Sequence, residues 1–156
     1  MPAVVPGPVT GYGGTPPTDA AALALAKKWI IAATPPPGVH ALGAAPVGAP
    51  KQPATLVACD WLVRATKWWS TPSSNVDAAK VWLTAHPVTG LVANGTMTGP
   101  GQLSAMTERY LQKQDDSLGF EFAPTDGGKV TIRVDVTVVP ADAGCASGGS
   151  AANTSP

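Results

Sequence analysis

The chain has 156 residues, ten of them basic and ten acidic, and only 13% are charged against 44% hydrophobic. That length suits one domain burying roughly two-thirds of the surface its unfolded form exposes. Zero net charge and three scattered arginines (Arg64, Arg109 and Arg133) argue against a nucleic-acid binder or a polybasic membrane binder, both of which need a local excess of cations.

Met1 to Pro17 is rich in Pro and Gly, has no apolar period and is expected to be disordered. It has no positive n-region and no continuous apolar h-region, so no signal peptide is read in it. Thr18 suits a helix N-cap and Asp19 the positive end of the helix dipole. Leu23, Ala26, Trp29, Ile30 and Ala33 then recur at helical spacing, with Trp29 as core anchor, until Pro35-Pro36-Pro37-Gly38 stops the helix. Ala20 to Ala33 is the longest apolar stretch. Lys27 and Lys28 interrupt it and it falls short of the ~20 residues that cross a bilayer, so no integral membrane segment is expected. Gly38 to Thr55 is a long Pro/Gly/Ala stretch in which a short strand around Val39 to Leu42 is expected, with His40 inside it.

Leu56 to Trp69 reads as a strand ended by Ser70-Thr71-Pro72. Ser73 or Ser74 then caps a second helix, with Ser74 and Asp77 as an imperfect capping box. Val76, Ala79 and Leu83 form its stripe, widened by Ala78 and Trp82, and Pro87 biases His86 out of helical geometry. Leu91 to Thr98 contains Asn94-Gly95, a hairpin signal. Leu103 to Lys113 fits a helix through Leu103, Met106 and Tyr110, or a strand by period two. Leu118, Phe120 and Phe122 alternate, and Thr125-Asp126-Gly127-Gly128 makes a turn. Lys129 to Val139 alternates best: Val130, Ile132, Val134, Val136 and Val138 point one way, whereas Lys129, Thr131, Arg133, Asp135 and Thr137 form an expected solvated face. The tail, Ala141 to Pro156, is small, polar and expected to be disordered. The expected ordered domain is therefore 18–140, of α+β class, with two helices packed on one face of a mainly antiparallel sheet of about four to five strands.

Several landmarks occur in a fixed order: a helix ending in PPPGV, a strand ending LVRATKWWSTP, a helix ending WLTAHPVTGL and a final strand KVTIRVDVTVVP. In these the chain resembles a group of uncharacterised actinobacterial proteins, mostly predicted to be exported, over roughly Leu23 to Pro140. The resemblance implies the fold and an extracytoplasmic or secreted location, and supplies no catalytic residues. The absence of a leader in this sequence departs from it.

No phosphate loop, dinucleotide fingerprint, zinc-protease motif or nucleophile elbow is present, and the two cysteines and two histidines lack zinc spacing. No cofactor or metal is therefore expected. Cys59 and Cys145 either form a disulfide, closing a loop worth roughly 4–5 kcal/mol in the chain-entropy model, or stand as a buried thiol and a free tail thiol. His86 either pairs with Asp77 or Asp60 as an acid–base unit or interacts with the negative end of its helix, which is the preferred reading. Glu108 and Glu121 are the only glutamates, and a glycosidase pair is the functional option they leave. Trp68 and Trp69 are adjacent, so a strand sends them to opposite faces. With Arg64 and Lys67 they form the candidate contact patch. The expectation is an extracytoplasmic binding or structural module of the cell envelope, with a protein or envelope glycan as partner and no nucleic acid. The alternative is an enzyme with a hydrolase-like site near His86.

Overall fold

The computed structural model describes residues 5–10, 20–50, 62–98, 104–110, 116–125 and 127–140. Along the chain these form β1 (Val5–Thr10), α1 (Ala20–Ala32), β2 (His40–Leu42), β3 (Leu62–Pro72), a 3-10 turn (Ser73–Asn75), α2 (Val76–Ala85), β4 (Val92–Thr98), β5 (Ser104–Arg109), β6 (Ser117–Thr125) and β7 (Lys129–Val138). The class is α+β. The sheet has the order β1-β3-β7-β6-β5-β4, all antiparallel, with the short β2 also paired to β3.

The seven strands among the described residues exceed the four to five expected, and the difference has local causes. Val5–Thr10 lies inside the Pro/Gly-rich segment that gave no alternation. An edge strand needs only backbone donors and acceptors to pair, and β1 takes the Leu62–Thr66 half of one edge of β3. β2 takes the Trp68–Ser70 half of the same edge. The ambiguous segment resolves as β5, a strand. Asn94-Gly95 does not reverse the chain. There the β4–β5 register slips between Ala93 and Thr96, so three steps of β4 match two of β5, which is a bulge. β3 runs on through Pro72, past its expected end. Residues 56–61, including Trp61, lie outside the described residues, as do Thr18, Asp19 and the tail from 141.

Alternation on β3, β6 and β7 builds the core. Val63, Ala65 and Trp69 of β3 lie in register with Val138, Val136 and Ile132 of β7, and Val136, Val134 and Ile132 of β7 lie in register with Leu118, Phe120 and Phe122 of β6. Both helices cover this face. α1 lies across β3 and β7 and buries Ala22, Ala26, Trp29 and Ile30. Leu23, expected inside, is 40% exposed. It sits one residue, about 100°, round the helix from Ala22, which takes the inward position. Trp29 anchors the helix as expected and meets Tyr110 edge-on at 5.4 Å between ring centroids. α2 buries Ala79 and Leu83, leaves Ala78 exposed, and sets Lys80 over the Phe122 ring.

The expected Ser74–Asp77 capping box does not form, because α2 starts one residue later with Asn75 at the N-cap and no side-chain cap bond. The Asn75 amide instead donates to Pro37 O and Thr71 Oγ1, both at 3.0 Å, which ties the end of the α1 loop to the start of α2. Gly38 is needed at this junction. Its φ is +79°, and a Cβ there would stand 2.7 Å from Asn75 Nδ2.

The other face of the sheet is not solvated as expected. Thr131, Asp135 and Thr137 are all buried. The loop after β2 reaches this side, where Pro50 O accepts a hydrogen bond from Arg133 Nη1 at 3.2 Å.

Candidate functional site

The four residues of the expected contact patch do not come together. Strand alternation sends Arg64 and Trp68 to the back of the sheet and Lys67 and Trp69 to the helix-covered front. Trp69 is fully buried and stacks obliquely on Phe120. Lys67 is 5% exposed, with Nζ donating to Ala33 O at 2.5 Å and lying 5.5 Å from the centre of the Trp69 ring. Burial lowers its pKa to about 8.

On the back face, Trp68 and Arg64 are half-buried parts of a polar network. Asp135 accepts from Thr66 Oγ1 at 2.5 Å and from Arg133 Nε at 2.7 Å. The Arg133 guanidinium also stacks on Trp68 at 5.3 Å, and Arg64 Nη1 donates to Thr137 Oγ1 at 3.2 Å. Glu121 lies opposite Arg133 in the register. Burial raises its pKa, Arg133 opposes that shift and Asp135 adds to it. Asp135 is matched here by a cation and a hydroxyl, as a buried charge requires, whereas Glu121 Oε2 is buried with no hydrogen-bond partner among the described residues and has only the nearby charge of Arg133.

The front face carries one carboxylate with no such match. Glu108 pairs in register with Leu118, so it projects to the helix side between Met106 and Tyr110. It is 3% exposed, and Oε1 accepts the Val88 N–H at 2.8 Å. Among the described residues no other hydrogen bond or ion pair reaches the carboxylate. Burial raises its pKa to about 7, only partly opposed by the Val88 hydrogen bond.

Glu108 lines a cleft of about 160 Å³ with Ala32, Ala33, Thr34, Trp82, Leu83, His86, Pro87, Val88, Thr89 and Phe120. Three chain features make this hollow. α1 stops at Ala32 ahead of its proline run. α2 stops at His86 (φ −128°, ψ 61°), whose N–H bonds to Trp82 O and Leu83 O. The chain then turns, with Leu91 N donating to Val88 O at 2.8 Å. His86 is exposed and stacked on Trp82, with centroids 4.2 Å apart and planes 17° from parallel. Its Nδ1 donates to Trp82 O at 2.8 Å.

The structure separates the other paired groups considered from the sequence. Glu108 and Glu121 lie on opposite faces of the sheet, so they cannot flank one glycosidic bond. Asp77 sits in the first turn of α2 and His86 at its far end. Asp60, Cys59 and Cys145 lie outside the described residues. His40 is exposed on β2. Among the described residues no group of three or more His, Cys, Asp or Glu side chains could hold a metal ion. No helix among them is long and apolar enough to cross a membrane.

The sequence offers Glu108 only as half of a glycosidase pair with Glu121, not as a lone buried carboxyl. The available signal was period two: read as a strand, Met106-x-Glu108-x-Tyr110 puts one carboxylate on an apolar face. Comparison with protein-family models, curated proteins and solved structures finds no match for this chain.

Proposed function

We propose that this protein is a non-catalytic binding module acting outside the cytoplasm, in the cell envelope, and that it recognises its partner through the cleft at the ends of α1 and α2. One observation carries the reading: Glu108 is a buried carboxyl with a single backbone hydrogen bond, open to a cleft. An ionisable group held at such a cost is a functional-site candidate. The even cysteine count and the resemblance to an exported group support the extracytoplasmic location.

The lining chemistry favours binding over catalysis. The Thr34 hydroxyl donates to Ala32 O at 3.1 Å, and His86 Nδ1 is held by Trp82 O. No hydroxyl–imidazole hydrogen bond of the kind that activates a nucleophile is made in the cleft among the described residues. A second reading, a hydrolase-like enzyme, is favoured by one fact: His86 and Glu108 line the same cleft, and a carboxyl titrating near 7 is matched to acid–base work.

A fragment titration followed by backbone-amide NMR tests both. The binding reading expects shifts at Thr34, Trp82, His86, Val88 and Glu108 with the fragments recovered unchanged. Shifts confined to the back face, around Trp68 and Arg133, would contradict it. Turnover of ester or glycoside fragments that disappears in Glu108→Gln would favour the enzyme instead.

A further inference from the structure

We infer that the cleft takes the basic side chain of a partner polypeptide, with its ammonium or guanidinium on Glu108 and its alkyl stem against Trp82 and Phe120; this rests on the cleft being the binding site. Three observations converge on that chemistry.

The first is charge. The cleft is lined by one carboxyl and by no lysine or arginine among the described residues. Two helices end at it, α1 at Ala32 and α2 at Ala85. Helix C-termini carry partial negative charge and favour cations. At α1 that preference is already met, because Lys67 Nζ occupies Ala33 O from the core side. Among the described residues the end of α2 is met by His86 alone, through its backbone N–H to Trp82 O and Leu83 O and its Nδ1 to Trp82 O, and by no lysine or arginine. With Nδ1 carrying the proton, Nε2 of the neutral ring is an acceptor for a ligand N–H.

The second is size. About 160 Å³ is well below the roughly 300–1,000 Å³ of pockets for drug-sized ligands. It suits the end of one long side chain. The third is the wall. Trp82 and Phe120 are both in the lining, and aromatic rings attract cations as well as alkyl stems.

Binding of a fixed cation must then follow the ionisation of Glu108. Other titratable groups near it are limited. His86 lines the cleft, whereas Lys67 is bound to Ala33 O, Tyr110 packs on Trp29 and Lys80 lies over Phe122. With the carboxyl half-ionised near pH 7, affinity rises about ten-fold between pH 6 and pH 8. Protonation of His86 would act in the same direction, so the profile is measured in His86→Gln as well.

The test uses the full chain and amide NMR titrations with two blocked tripeptides, acetyl-Gly-Lys-Gly-amide and its norleucine counterpart, alongside n-butylammonium. The lysine peptide is expected to bind at the cleft at least ten-fold more tightly than the norleucine peptide. Glu108→Gln should cut it to the norleucine level, and the pH rise should persist in His86→Gln. Equal binding of the two peptides at the cleft would overturn the cation assignment while leaving the cleft as a binding site. Binding of n-butylammonium with exclusion of the peptide would overturn the side-chain assignment in favour of a free amine. No shift at the cleft with any probe would overturn both this inference and the reading it rests on. The lysine-against-norleucine comparison on the unmodified protein tests the cation assignment without any variant.

Discussion

Two buried carboxylates on opposite faces of the sheet, Asp135 and Glu108, sit in very different company. On the back, Asp135 is fully buried between the Thr66 hydroxyl and the Arg133 guanidinium, which itself stacks on Trp68. On the front, Glu108 is almost as buried but has, among the described residues, only the Val88 N–H, in a cleft otherwise walled largely by apolar and aromatic groups. Burial alone therefore does not mark function. Burial of a charge whose partner is missing separates the candidate site from the scaffold, because a buried charge without a partner costs several kcal/mol and a structural one is normally paired.

The sharpest break in this comparison is Asp135→Ala. It leaves Arg133 and Thr66 without their acceptor and is expected to cost about 3 kcal/mol in denaturant unfolding. Much of that loss should be recovered by adding Arg133→Met, since removing both ions leaves no orphan. A loss below about 1 kcal/mol would mean the network does not hold the back face.

Next comes Glu108→Gln, with the opposite sign. The folded carboxyl titrates near 7, against an ordinary value of 4.5. Between those two values the folded chain holds a proton that the unfolded chain has lost. Stability therefore falls as pH rises through that window, and the penalty is complete above it. The variant should be more stable than the parent at pH 8, by on the order of 2 kcal/mol, and equal to it at pH 4. Destabilisation at both pH values would mean Glu108 is a paired structural group like Asp135.

The smallest expected effect is Trp68→Leu. The indole is half-buried and its specific contact is the stack with Arg133. A loss of about 1 kcal/mol is expected. A loss comparable to that of a buried core tryptophan, roughly 3–5 kcal/mol, would make the back face a second core.

The front of the sheet could be read from the sequence because its determinants are local. Period two in Lys129 to Val138 and in Leu118 to Phe122, and period 3.6 around Trp29, survive folding unchanged. The back face could not be read. Lys129 is exposed as its place in the pattern implies, but Thr131, Asp135 and Thr137 look like surface residues too and are buried, on the face where the loop bearing Pro50 reaches Arg133. Tertiary cover leaves no mark on the strand it covers. The candidate patch is divided for a related reason. Arg64, Lys67, Trp68 and Trp69 are close in sequence, but alternation divides them between two faces, and only the Trp68–Trp69 split was foreseen. Glu108 was hidden by the uncertain helix or strand state of its segment. Choosing a strand with Met106 inward fixes Glu108 inward at once.

The most direct measurement is the titration of the Glu108 side-chain carboxyl followed by carbon-13 NMR, with and without n-butylammonium. The expected result is a midpoint near 7 in the free protein that moves down when the cation is added. A midpoint in the ordinary glutamate range, about 4.3, unmoved by the cation, would contradict it.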